Sequence, residues 1–355
     1  MAPDLPSPSG GIKVIYNYVE HLRELGYDAR VWHGTPGFSY PNWPASAPVD
    51  AGMRQPFAPG DILVMPETGG SKWSFLSAGQ PVVVLCQGMD FVFSDADFLT
   101  DVPGAYPGWP NAKATLAVSE AIATFLDHAC EPGFPIHRVP VEIEERFHPR
   151  PKERIITLMP RRRREDLLGA VQLVRRSGRL REWRIVLIDG MTQAQVAEEM
   201  GRSAIFLFGA EREGIGLPGA EAMASGCYVI GFTGDGAKEY LRPDCAGVVL
   251  DSDVVGMAEQ TIAAMDDFEA GVPELATRIE LGRARVRERH SGERVRRALG
   301  AAFAEITAPG SPALIREHVV LPHYQTHAPR GGLAGRLYRD ARRLARLGLN
   351  GLSSR

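Results

Sequence analysis

The chain is predicted to be an α/β protein built from two doubly wound, Rossmann-like domains. Two observations carry this. In the second half, short apolar runs at 155–158, 184–188, 204–208, 227–232 and 247–250 alternate with helical segments near 165–177, 192–200, 218–225 and 254–266. Continuous apolar strands separated by helices imply a parallel sheet covered on both faces. The second observation is length: 355 residues suffice for two domains, each with its own core.

The first half is less regular but fits the same plan. Apolar residues at 12, 15, 19, 22 and 25 have helical spacing, and Gly26 ends the run. Apolar runs follow at 29–32, 62–65, 82–85 and 115–118, the last leading into a helix over 119–129 with Ser119 as N-cap. Residues 135–151 hold four prolines and little periodicity, which marks the boundary between domains. The expected organisation is a first domain over 1–145, a second over 146–307 and an extension over 308–355.

Composition narrows the class. Apolar residues make up 44% and charged residues 23%, both ordinary for a globular chain, and the net charge of -3 does not suggest a nucleic-acid binder. The four cysteines, Cys86, Cys130, Cys227 and Cys245, show no C-x-x-C spacing and suit neither a disulfide framework nor a zinc cluster. No apolar run is long enough to span a membrane, and the first residues lack the features of a signal peptide, so a cytoplasmic location is expected.

The chemistry concentrates in residues 208–227, which read F-G-A-E-R-E-G-I-G-L-P-G-A-E-A-M-A-S-G-C. A buried strand ends at Phe208, and a loop with Gly214 and Gly216 follows. Pro218 then sits in a first helical turn, where its missing N–H costs nothing. Glycines let the backbone approach a ligand, and a helix start offers free N–H groups to an anion. Glu213 falls in the loop and Glu221 about one turn into the helix. Two carboxylates beside an anion-binding helix start are reconciled if they receive hydroxyl groups while the N–H groups hold phosphate. A sugar nucleotide presents both. The plainer alternative is that Glu221 favours the positive helix end and Glu213 is solvated.

This string, with Glu213-x7-Glu221 inside it, resembles the signature of retaining GT-B glycosyltransferases of the family 4 type. The likeness also takes in Ser9-Gly10-Gly11 and the stretch from Val139 to Pro149. The resemblance implies two Rossmann-like domains facing an interdomain cleft, the first binding the acceptor and the second the donor, with no catalytic metal and no cofactor beyond the nucleotide-diphosphate-sugar co-substrate. It implies that Glu213, the catalytic candidate, receives the donor sugar's hydroxyls, that Gly214, Ile215, Gly216 and Leu217 line the sugar and phosphate site, and that Glu221 receives the ribose hydroxyls. The implied activity moves a sugar to a hydroxyl acceptor (glycan, lipid-linked or small molecule) with retention of configuration. An epimerase or phosphorylase on the same fold, or a non-catalytic sugar-nucleotide binder, are the alternatives.

Further candidates follow from position. Arg161 to Arg164 occupy the first strand-to-helix loop of the second domain, and guanidinium forks suit a diphosphate; Arg161 and Arg162 are the choice for donor binding, against a solvated basic run. The family pairs an arginine with a lysine here, and this loop has no lysine. Gly10 and Gly11 precede a helix and can approach the donor phosphates, although only a short stretch stands where a first strand is expected. Glu67, Gln87 and Asp90, at strand ends, are candidates for the cleft wall, as is Gly234 in the turn Thr233-Gly-Asp-Gly236. Relatives carry a histidine on this wall, and Gln87 offers none. Two D-x-D strings, Asp95-Ala-Asp97 and Asp251-Ser-Asp253, have the form of a metal-diphosphate site, but helix capping explains the second. In the basic tail, Leu333, Leu337, Ala341 and Leu344 share a helical face, so residues 330–355 can either contact an anionic membrane surface or pack on the protein.

Overall fold

A computed structural model describes residues 1–7, 9–41, 46–52, 57–68, 80–93, 106–109 and 112–308. The basic tail and the Asp95-x-Asp97 string lie outside these residues.

The second lobe is the regular one. Strands β7 (Glu153–Leu158), β8 (Arg184–Leu187), β9 (Ser203–Gly209), β10 (Tyr228–Phe232) and β11 (Gly247–Val248) form an all-parallel sheet in the order β11-β10-β9-β7-β8. Every residue of β9 and β10 is buried, as expected for strands covered on both faces. The intervening helices are α3 (Arg164–Arg176), α4 (Gln193–Arg202), α5 (Leu217–Ala224) and α6 (Val254–Ala270). Local chemistry starts them: Thr192 and Gln195 form a reciprocal capping box on α4, and Asp253 accepts the Gly256 N–H at 2.8 Å on α6.

The first lobe carries α1 (Gly10–Glu24), β3 (Leu63–Pro66), β4 (Val82–Cys86), β5 (Ala112–Ala117), α2 (Glu120–Ala129) and β6 (Ile136–Arg138), with a parallel sheet ordered β3-β4-β5-β6. Ser119 caps α2 through the Ile122 N–H, as its sequence predicts. Strands β1 (Val31–His33) and β2 (Val49–Ala51) form a separate parallel pair. Ala2 N–H donates to Trp32 O at 2.8 Å and the Met1 nitrogen to Val64 O at 2.6 Å. Residues 1 and 2 thus lie between β1 and β3, where the first strand is expected, in a stretch too short to count as one.

Four of the described strands and α-helices were not read from sequence, the first being β2, a strand of three half-buried residues. Strand β6 hides between Pro135 and Pro140. Helix α7 (Pro273–Arg289) buries only Leu275, Gly282 and Val286 among charged neighbours, which is a weak periodic signal. Helix α8 (Gly292–Ile306) has a clear apolar stripe, burying Val295, Leu299, Phe303 and Ile306. It packs on α1, β5 and β6, so residues grouped by sequence with the second domain return to the first.

The chain crosses between lobes in two adjacent passes. Ile143 N–H donates to His290 O at 2.9 Å, and His290 Nδ1 meets Val141 O at 2.8 Å. Burial, foremost, holds the His290 imidazole down to a pKa of about 4, so it is neutral at ordinary pH.

Candidate active site at the second-lobe switch point

In chain order the second sheet reads second-first-third-fourth-fifth, so the connections leave β7 in opposite directions and open a crevice between the ends of β7 and β9. The loops after these two strands carry the predicted residues. Arg162 Nε stands 4.0 Å from Glu213 Oε1 across the crevice. Burial raises the Glu213 pKa, with the charges of Arg162 and Arg161 opposing it, so the carboxyl sits above its ordinary value. Arg161 and Arg162 are exposed.

Their neighbour Arg163 has another task. Its backbone is left-handed (φ 49°), and its guanidinium pairs with Asp251, with Asp166 at 3.2 Å and with Ser252 Oγ at 3.1 Å, over the Phe232 ring. Asp253 caps α6, as the capping interpretation predicts, whereas Asp251 pairs with Arg163 and caps nothing.

Close packing of backbone explains the glycines. A Cβ on Gly236 would stand 2.0 Å from Gly214 O, and Gly236 N–H donates to Glu213 O at 3.1 Å. The two glycine turns therefore lie against each other, as their positions on consecutive strands predict. A Cβ on Gly234 would stand 2.1 Å from Glu211 O. Gly216 precedes α5 with φ 71°, a region that favours glycine. Its carbonyl accepts the Tyr240 hydroxyl at 2.6 Å. In the first turn of α5 Pro218 has no N–H and the Gly219 N–H donates to Gly216 O at 3.1 Å, so the setting for an anion is the Leu217 N–H ahead of Pro218.

Glu221 faces a different set of partners. It is 8% exposed, and Lys13 Nζ from α1 stands 3.3 Å from its Oε1 while also pairing with Glu144 of the crossing segment. Burial raises the Glu221 pKa, and Lys13 is the main opposing charge. Tyr240 feels both Glu213 and Glu221, so the two carboxylates flank one buried ring.

The first lobe closes directly on this loop. A Cβ on Gly214 would stand 2.0 Å from Gln87 O, and one on Gly10 would stand 2.9 Å from Leu217 Cδ1. The Gln87 carboxamide donates to Gly11 O at 3.2 Å, joining two predicted wall residues. Asp90 pairs with Arg212 at 3.3 Å across the lobes. Glu67 is buried beneath the Gln87–Gly88 turn, whose N–H groups it accepts. Desolvation dominates there and pushes its pKa up to about 7. Ile215, also predicted, is buried beneath the loop.

Sequence reasoning missed Lys13, Glu144 and Glu239. Glu239, 7% exposed, accepts the Glu120 N–H at the start of α2 and pairs with Arg138 of β6. The one signal for Lys13 was a charge beside the apolar face of α1. Glu144 and Glu239 stood in stretches without periodicity.

Comparison with known proteins places these features. Residues 163–267 match the family described as Glycosyl transferases group 1. A 128-residue stretch is 39% identical to an alpha-1,6-glucosyltransferase of Actinobacillus pleuropneumoniae serotype 7; the match covers 33% of this chain and 37% of that protein. Among solved structures, a glycosyltransferase from Rickettsia africae superposes with a TM-score of 0.61 at 15% identity, covering 86% of this chain and 97% of that one. Sucrose-phosphate synthase from Thermosynechococcus elongatus gives 0.60 at 14% identity, covering 84% and 94%. Anabaena HepE, solved in complex with UDP and glucose, gives 0.60 at 13%, covering 84% and 97%. The chain thus has a GT-B fold, and residues 163–267 of its second lobe are similar to the Glycosyl transferases group 1 family.

Proposed function

We propose that the chain transfers a sugar from a nucleotide-diphosphate-sugar to a hydroxyl acceptor, with retention of configuration and without a catalytic metal. The observation that supports this most is the grouping at the switch point: Glu213 beside Arg161 and Arg162, backed by two interlocked glycine turns and the start of α5. Carboxylates accept the hydroxyl hydrogens of a sugar, whereas N–H groups and guanidinium forks hold phosphate oxygens. The departing diphosphate gathers negative charge as the sugar bond breaks. Groups fixed beforehand around it stabilise the transition state more than the ground state. The first lobe, closing through Gly10, Gly11 and Gln87, excludes water and limits donor hydrolysis.

The matched glucosyltransferase and the UDP-bound Anabaena structure make UDP-glucose the first donor to test. Binding of UDP, GDP, dTDP and ADP, read as a rise in melting temperature, ranks the base before any acceptor is known. Glu213→Ala is expected to lower transfer by about a hundredfold at saturating donor, the scale of losing one transition-state contact. Near-wild-type transfer by that variant would remove Glu213 from the site. Retention is read from the product's anomeric proton coupling, and metal independence from transfer in excess EDTA. Membrane contact by residues 330–355 is tested separately, by comparing liposome binding with and without them.

A further inference from the structure

The buried cation at Glu221 comes from the other lobe. Lys13 lies on α1 and its side chain is 8% exposed, yet its ammonium is shared by Glu144 and, at 3.3 Å, by Glu221 on α5. Burial works against this charge, but the two carboxylates overcome it and raise the Lys13 pKa. An ammonium buried at such cost persists only when paired. The lysine contacts Oε1 of Glu221, and a carboxylate offers about four lone-pair sites over its two oxygens, so lysine and hydroxyl partners are compatible.

We propose that Lys13 is a first-lobe positioning residue for the donor's ribose, fixing the Glu221 carboxylate so that it can receive vicinal hydroxyl groups. The inference rests on the reading of Glu221 as a ribose-binding group. Donor recognition in the second lobe then depends on where α1 of the first lobe sits. The charged and titratable groups facing Glu221 are Lys13 from α1, Glu144 and Arg146 from the crossing segment, and Tyr240 from the second lobe. Helix α7 meets α5 through Gly282 against Met223 and adds no charge at that contact. Of the two cations, Lys13 exerts the larger effect.

The sign of the pH effect follows. Glu221 already titrates above an ordinary carboxylate. Removing Lys13 raises it further, so the variant loses ribose binding at a higher pH than the wild type does. The test uses the full chain and calorimetric titration with UDP and 2′-deoxy-UDP between pH 5.5 and 8.5, or with the GDP or ADP pair if those bind better. The wild type is expected to favour the ribonucleotide by about tenfold, the worth of a hydrogen bond to a charged group. Lys13→Met and Lys13→Gln are expected to lose most of that preference, with affinity falling as pH drops, and Lys13→Arg to restore it. Lys13→Gln keeps a donor and similar packing, so it remains informative if Lys13→Met folds poorly. If the Lys13→Gln protein keeps the wild-type preference at every pH, or binds UDP more tightly, the proposal is overturned. A wild type that binds no nucleoside diphosphate, or binds both sugars equally, overturns the reading of Glu221 itself.

Discussion

The two lobes share a fold plan but build their walls of the site differently. The second lobe presents backbone at close range: its glycine turns pack so tightly that a Cβ on Gly236 would stand 2.0 Å from Gly214 O, and a left-handed glycine opens a helix. The first lobe presents mostly side chains, through Lys13, Gln87 and the buried Glu67 under the Gln87–Gly88 turn, with close backbone approach limited to Gly10 and the Gln87 carbonyl. Backbone approach demands a residue type, whereas a side-chain contact can be met by many. That difference explains why one wall is written in a motif and the other is not.

The sharpest way to break this comparison is at the point where the walls touch. Gly214→Ala places a methyl group against Gln87 O, so the lobes cannot meet as they do here. Transfer is expected to fall by about a hundredfold or more with the fold retained, since small misplacements carry large rate losses. Steady-state assay beside a melting curve separates the two effects, and unchanged activity would mean that this contact is not part of the working state.

A smaller effect is expected at another ionic link between lobes, Glu239 with Arg138. Glu239→Ala takes from Arg138 its buried partner, leaving it Val118 O at 3.1 Å and the exposed Glu120 at 3.7 Å, and frees the Glu120 N–H; a loss of roughly 1–2 kcal/mol in unfolding free energy follows. Denaturant titration measures it, and a loss below about 0.5 kcal/mol would class the link with ordinary surface pairs.

Glu67 offers a pH-dependent contrast. Its pKa is raised to about 7 in the folded protein, so the folded state holds an extra proton between the ordinary glutamate value and that point. Stability therefore falls as pH rises through this window. Glu67→Gln should remove that slope, and its melting temperature relative to wild type should climb from pH 5 to pH 8. A constant difference would refute the assignment.

The smallest effect distinguishes neighbours. Arg162→Ala should reduce donor affinity while leaving stability within about 0.5 kcal/mol, as for an exposed side chain. Arg163→Ala should do the opposite, costing about 1 kcal/mol through its pairs with Asp166 and Asp251, given its partial exposure. Matching profiles for the two would dissolve the division of labour along this loop.

How much was legible follows the same line. The alternation of apolar strands and helices in the second half translated into the expected parallel sheet, because strands buried on both faces leave continuous apolar runs. Residues 208–227 were legible for a stronger reason, since each glycine answers a steric limit. Lys13 and Glu239 were not, because their partners lie 208 and 101 residues away and no local pattern encodes such pairing. Helix α7 was hidden by its charges, and β6 by the prolines around it. The opening segment stayed ambiguous because its role between β1 and β3 rests on backbone bonds alone.

The paired passes between lobes have a mechanical consequence. A single linker is a swivel, free to turn in any sense. Here two segments cross side by side and are laced at Val141, Ile143 and His290. Two laced strands resist torsion but yield to bending across their common plane, much as a strap hinge does. The laced pair thus restrains twisting of one lobe against the other more than a single linker would.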